Sequence, residues 1–236
     1  SHFVIGGRHD LVTRPILSFW TRRMAVQPVV RKAELLRGGF SQEEAQNLNG
    51  RTLLNLARGI SYGHGSALFP EGTAHDEAHP IRLRTGPMRT VLAAAAIAHV
   101  EGRPLPHLVP VGLHFRVRHH FRTDVHVEYS EPITVELDDI PEDLLAAVKQ
   151  NDWSEPPSDA VTALRDALTP KLRRLTPDVV DWDERRALHT LAHVRARSEK
   201  RDLPDWRSEV MAARAERDAL RPEGDRDLEA IVPEPL

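Results

Sequence analysis

The stretch Ala67-Leu68-Phe69-Pro70-Glu71-Gly72-Thr73-Ala74-His75-Asp76 gathers a carboxylate, a glycine, a hydroxyl and an imidazole just after an apolar run that stops at a rigid proline. Glycine lets a ligand approach the backbone closely, and Glu71 could accept hydrogen bonds from a substrate hydroxyl. An ordinary strand-to-turn corner uses the same residue types, so residue chemistry alone leaves both readings open. Arg82, Arg84 and Arg89 follow, either as a basic wall for a phosphate or an anionic lipid, or as a solvated helix entrance. Arg116, Arg118 and Arg122 with His119 and His120 form a second basic cluster, suited to phosphates or lipid headgroups if it is more than a polar loop. His189 and His193, four apart on an expected helix, could share a metal. With no acidic signature nearby they read as two surface histidines. The chain has no cysteine, which removes thiolate metal sites, disulfides and a cysteine nucleophile.

The elements that must hold these groups alternate. Phe3 to Ile5 is β-like, Arg14 to Met24 reads as a helix opening at Pro15, and Val26 to Val30 reads as a strand. Ser41 with Glu44 is a capping-box pattern that starts a helix ending near Gly63. Ala67 to Phe69 is a strand, Gly86 to Val100 an alanine-rich helix, Leu108 to Leu113 a buried strand and Val125 to Tyr129 a half-exposed one. The order β, α, β, α, β, α, β, β argues for an α/β architecture, a mixed β-sheet flanked by helices with ligands near the carboxyl ends of its strands. Val91 to Ala98 is small and apolar all round, as a buried packing helix requires. After Asp139 the chain turns to charged, helix-favouring segments at 141–149, 159–175, 182–200 and 205–220, with a hinge at 151–158, a helical C-terminal extension in which Trp182 and Trp206 are core anchors.

The 236 residues suffice for a substantial core, and aromatic side chains at 5% make that core aliphatic. The net charge of -3 gives no nucleic-acid signature, but residues 1–139 carry 16 basic, 14 acidic and eleven histidine side chains against 16, 21 and two in 140–236. No apolar run approaches the ~18–20 residues that span a bilayer.

Phe69-Pro70-Glu71-Gly72-Thr73 resembles the Phe-Pro-Glu-Gly-Thr signature of the PlsC-like acyltransferases, which make phosphatidate precursors from acyl thioesters. Val109-Pro110-Val111-Gly112-Leu113 is similar to the Val-Pro-Val block that follows in that family. Met24-Ala25-Val26-Gln27-Pro28-Val29-Val30-Arg31 is similar to the upstream block whose strand ends in an arginine associated with glycerol-phosphate binding. Ala74 departs from the family, where many relatives have an arginine. His75-Asp76 and Leu83-Arg84-Thr85-Gly86 resemble a variant pattern of fungal-type glycerol-3-phosphate acyltransferases. The family's general base is the histidine of a His-x4-Asp motif ahead of these blocks. No such motif stands upstream of Arg31, and His119 with Asp124 matches it only by chance, after the Val-Pro-Val block.

The resemblance implies an acyltransferase domain at residues 1–139, truncated ahead of Ser1 and inactive alone, then an extension at 140–236. It implies transfer of an acyl group from a coenzyme A or carrier-protein thioester to a hydroxyl of glycerol 3-phosphate or lysophosphatidate, with no cofactor and no metal. Arg31 would bind phosphate, Glu71 with Gly72 would position the glycerol backbone, Phe69, Pro70, Thr73, His75 and Asp76 would complete the substrate site, and Pro110 would shape the acceptor or acyl pocket. Expected partners are the two substrates and peripheral lipid on the cytoplasmic side of a membrane, and no nucleic acid. The alternative is a non-catalytic acyltransferase-like domain that binds lipid or a protein partner.

Overall fold

Parallel strands need crossover connections, and the first part of the chain supplies two. β1 (Phe3–Arg8) is the middle strand, with β2 (Val26–Val29) on one side and β3 (Gly65–Ala67) on the other. The computed structural model describes residues 3–8, 14–24, 26–29, 41–73, 75–150 and 154–221. Helix α1 (Pro15–Arg23) lies between β1 and β2 in sequence, and α2 (Gln42–Ser61) between β2 and β3. Pro28 cannot donate to a ladder, and it stands on an edge strand, where that is tolerated. The capping box at the start of α2 is present: the Glu44 N–H donates to Ser41 Oγ at 3.1 Å, and the Ser41 N–H to Glu44 Oε2 at 2.8 Å. Two glycines let elements close up. A Cβ on Gly59 of α2 would come within 2.8 Å of Val4 of β1, and one on Gly65 within 2.8 Å of the Phe3 ring.

The described residues fall into two compact units. The first takes those within Ser1–Thr73, Leu83–Val109 and Pro132–Leu168; the second those within Ala74–Arg82, Pro110–Glu131 and Thr169–Leu236. In the first, α3 (Gly86–Val100) is buried without interruption from Met88 and Thr90 to Ala98, apart from Arg89. Its Ala93, Ala94 and Ile97 pack on Ala57 of α2, with Val148 of α4 (Glu142–Lys149) against them. Alanine permits such close helix contact, and continuous apolar sequence is what a helix buried on all sides requires.

The expected single mixed sheet is instead three small ones among the described residues. β4 (His107–Leu108) pairs antiparallel with β7 (Ile133–Thr134), and β5 (Val111–Phe115) with β6 (Val125–Tyr129). The strand expected over Leu108 to Leu113 breaks at Pro110, which has no N–H; the buried Pro110 carbonyl accepts from the Ser130 N–H at 3.0 Å. The strand expected at Ala67 to Phe69 lies earlier, at β3, because the Phe69 carbonyl is committed to a turn. The molecule is nonetheless mixed α/β.

In the second unit, α6 (Trp182–Ser198) and α7 (Trp206–Leu220) follow α5 (Ser158–Arg174), whose last turns belong to this unit. Asp181 and Asp205 cap α6 and α7 by accepting from the Glu184 and Ser208 N–H groups at 2.8 and 2.7 Å. Ala78, Val179, Leu188, Ala192, Ala212 and Ala213 form its core, with Trp182 and Leu203 against them. Trp206 is 8% exposed, and its indole donates to the His114 carbonyl at 2.7 Å, so both tryptophans anchor the core. No described helix is long and apolar enough to cross a membrane.

Two expectations are corrected here. His189 is not a surface histidine: it is half-buried and stacked on Trp206, ring centroids 5.2 Å apart, whereas His193 is exposed beside Glu209. In the β5–β6 hairpin, Val111, Leu113, Val125, Val127 and Tyr129 face outward and are exposed, while Gly112 and His114 are buried and His126 and Glu128 half-buried. The half-exposed alternation of Val125 to Tyr129 is as expected, whereas Val111 and Leu113, expected in a buried strand, are exposed. Glu128 accounts for this, because its carboxylate takes both terminal nitrogens of Arg214 on α7 at 2.7 and 2.6 Å.

Candidate functional site

In the first unit the signature lies just beyond the carboxyl end of β3, where parallel α/β sheets place ligand groups. The Gly72 N–H donates to the Phe69 carbonyl at 3.1 Å, closing a four-residue turn with Pro70 in second position, for which its fixed φ suits it. Gly72 has φ +69°, the left-handed region, and a Cβ on it would stand 2.9 Å from Arg84 Cγ. Glycine is therefore required there twice over, by conformation and by space. The Arg84 N–H donates to the Pro70 carbonyl at 2.7 Å, and the neighbouring Leu83 is buried at 6% exposure. The 83–84 backbone is thus laid against the turn, with the Arg84 side chain exposed.

This arrangement presents a half-buried carboxylate, Glu71, on a rigid turn crossed by an arginine stem. A carboxylate accepts from hydroxyls and a guanidinium grips oxyanions bidentately, so the pair suits a phosphorylated polyol. Thr73 is exposed, and Phe69 is 75% exposed at the head of the turn. Arg89 is not a spare cation of a basic wall, since it pairs with Glu155.

His75, Asp76 and Pro110 belong to the second unit. Arg118 donates to the His75 carbonyl at 3.1 Å and pairs with the Asp76 carboxylate, and the Trp182 indole donates to the Asp76 carbonyl at 2.6 Å. His75 Nδ1 accepts from the Glu77 N–H at 3.2 Å. Asp76 therefore serves Arg118 and does not orient His75 through Nδ1. Arg116 also has internal partners, Asp124 at 3.3 Å and Glu209 at 2.5 Å, so two of the three arginines in the second basic cluster are neutralised. Arg31 and Ala74 lie outside the described residues.

A group of polar residues in the second unit, of which sequence singled out His189 alone, comes together around one cavity. His114, Arg185, His189, Arg214 and Arg217 line one small cavity with Thr176, Pro177 and the aliphatic groups near them. Burial first, and then Arg214, lowers the His114 pKa to about 4; burial first, and then Arg185, lowers His189 to about 4. The hydrogen bonds from Arg214 hold the Glu128 carboxyl below its ordinary value. The one signal available was polar: His114, His126 and Glu128 stand in strands that are otherwise mostly apolar, whereas the arginines arrive from more than 50 residues later.

The chain is 25% identical over 134 residues to glycerol-3-phosphate O-acyltransferase 1 of Saccharomyces cerevisiae, a match covering 56% of this chain and 16% of the relative. It is 26% identical over 153 residues to glycerol-3-phosphate O-acyltransferase 2 of the same yeast, covering 64% of this chain and 19% of the relative. The chain thus spans less than a fifth of the length of these curated relatives. No protein-family model matches it. No solved structure matches it either. The similarity supports a relationship to glycerolipid acyltransferases in general and does not single out the PlsC-like branch.

Proposed function

We propose that this chain is the acceptor-binding part of an O-acyltransferase of phospholipid synthesis, which moves a fatty acyl group from a coenzyme A or carrier-protein thioester to a hydroxyl of glycerol 3-phosphate or lysophosphatidate. The observation that carries the reading is the Phe69–Gly72 turn beyond β3, with Glu71 on it and Arg84 held against Gly72. In this proposal Glu71 accepts from an acceptor hydroxyl and Arg84 and Arg31 bind its phosphate. Phe69, Pro70, Gly72 and Thr73 shape the turn, and the family resemblance makes His75, Asp76 and Pro110 proposed substrate contacts as well. The acceptor hydroxyl gives its proton to a base, its oxygen attacks the thioester carbonyl, the C–S bond breaks, and the proton passes to the departing thiolate. The base is proposed to be a histidine of a His-x4-Asp pair preceding these residues, with the acyltransferase part ending near Asp139 and peripheral lipid on the cytoplasmic face holding the protein at its product's membrane. The relatives' names and the Leu83-Arg84-Thr85-Gly86 pattern favour glycerol 3-phosphate as acceptor.

The test is acyl transfer from a long-chain acyl-CoA to glycerol 3-phosphate and, separately, to lysophosphatidate, using the longest reading frame that contains this chain. Product from either acceptor, with kcat/KM reduced roughly ten- to hundredfold in Glu71→Gln and Arg84→Gln, supports the proposal. A folded protein that binds acceptor or lipid without forming product would replace it with the non-catalytic reading.

A further inference from the structure

A cavity of about 30 Å³ lies in the second unit, with Arg185, Arg214, Arg217, His114 and His189 among its walls. That is room for a pair of waters or one small tetrahedral ion. Two of the three cations are already answered. Arg214 holds Glu128 bidentately, and Arg217 is paired with Asp218 and donates to the Thr176 and Pro177 carbonyls at 3.0 and 2.8 Å. Arg185 is different. Its guanidinium donates to the Phe115 carbonyl at 3.2 Å and sits over the Trp182 and Trp206 rings at 5.1 and 5.8 Å, with no carboxylate partner among the described residues. Burial lowers its pKa, the direction expected of a cation withdrawn from water.

A second observation points the same way. His114 is 4% exposed and lines the cavity, and its Nε2 makes no aligned hydrogen bond; it lies 3.3 Å from Glu128 Oε2, a carboxylate already held by Arg214. His189, stacked on Trp206, is the other imidazole of the wall. Both rings stay neutral near pH 7 and can each present an N–H without adding charge. A cation without a carboxylate partner and a buried ring nitrogen without an aligned hydrogen bond are both better satisfied when the cavity they line holds an anionic acceptor.

We propose that this cavity binds a small oxyanion of the phosphate type, with Arg185 as its cation and the His114 and His189 rings as neutral donors. The ion would tie α6 and α7 to the β5–β6 hairpin, and the site stands whether or not the chain transfers acyl groups. Its source is either free inorganic phosphate or the phosphoryl end of a larger compound.

The experiment is thermal unfolding of the chain at constant ionic strength and pH, titrated with inorganic phosphate, for the unaltered chain, Arg185→Met and Arg84→Gln. At a hundredfold excess over Kd the melting temperature should rise roughly 5–10 °C and saturate. The rise should be lost in Arg185→Met and kept in Arg84→Gln, which removes the cation of the signature turn. The proposal is overturned by an absent or unsaturable rise, by one kept in Arg185→Met, or by one lost only in Arg84→Gln. Should Arg185→Met fail to fold, the ring resonances of His114 and His189 in the unaltered chain decide, since phosphate must shift both and no shift overturns the site. Parallel titrations with glycerol 3-phosphate and coenzyme A identify the source. Stabilisation matching that of inorganic phosphate means that a phosphoryl end enters, and stabilisation by inorganic phosphate alone means a free ion; either supports the site.

Discussion

Replacing Gly112 by alanine tests the packing of the second unit where a glycine is most closely approached. A Cβ there would meet the Leu175 carbonyl oxygen at 2.3 Å and Leu175 Cβ at 2.9 Å, whereas Cβ contacts below 3.0 Å are essentially never seen. Relief requires β5 and the Leu175 backbone to part by ~0.7 Å, the difference between 3.0 and 2.3 Å. The backbone cannot give freely, because the next two carbonyls, of Thr176 and Pro177, are held by the buried Arg217. Overpacking of this kind costs ~1–3 kcal/mol, and weakening one Arg217 hydrogen bond adds about 1. The expected loss is about 2–4 kcal/mol. Urea unfolding followed by circular dichroism should show a lowered midpoint with an unchanged slope. Gly50 is the control: it lies inside α2 with nothing within 4 Å of an added Cβ, so Gly50→Ala should gain ~0.5–1 kcal/mol. A Gly112→Ala protein within 0.5 kcal/mol of its parent, by the scale used for neutral surface changes, would refute the reasoning.

Stability should also fall on acidification through the window from pH 6.5 to about 4. There the unfolded chain protonates His114 and His189 and the folded chain does not. The loss is on the order of 2–3 kcal/mol for buried His114 and smaller for His189, and melting curves between pH 7.5 and 4 check it; a flat profile contradicts the burial described. Arg214→Met strands the Glu128 carboxylate and should cost about 2–3 kcal/mol, most of it recovered when Glu128→Gln is added, a coupling that a double-mutant cycle reads directly. Gly72→Ala forces a side chain into the left-handed region against Arg84 and should cost ~1–2 kcal/mol, with a larger fractional loss of acyl transfer than of stability if the turn positions the acceptor.

Much of the local structure was legible because its determinants are contiguous. The α3 helix runs over the residues its Gly-Pro start and apolar interior predict, and α2 begins at its capping box. The Phe69–Gly72 turn is likewise written in five adjacent residues. What sequence did not reveal depends on partners far along the chain. Pro110 divides an apolar run into strands with different neighbours, a choice made by where β6 and β7 lie. Val125 and Val127 point outward because Arg214 captures Glu128, and His189 is half-buried because it stacks on Trp206, so neither outcome follows from periodicity. Arg84 stood out as a charge, but its approach to Gly72 required a chain reversal that no local pattern specifies.

The inward face of the β5–β6 hairpin has a consequence for how this region avoids wrong arrangements. Hydrocarbon contacts have no direction, so an apolar strand can slip against a helix and still gain most of its attraction. A bidentate guanidinium–carboxylate contact is satisfied in one geometry alone. If β6 slid by one residue, Val127 or Tyr129 would replace Glu128 opposite Arg214, leaving a withdrawn cation unanswered and turning the polar face to water. Misaligned forms are thus disfavoured by a specific unpaired charge more than by weaker packing, and the hairpin keeps its alignment even though its outer side is the more apolar one.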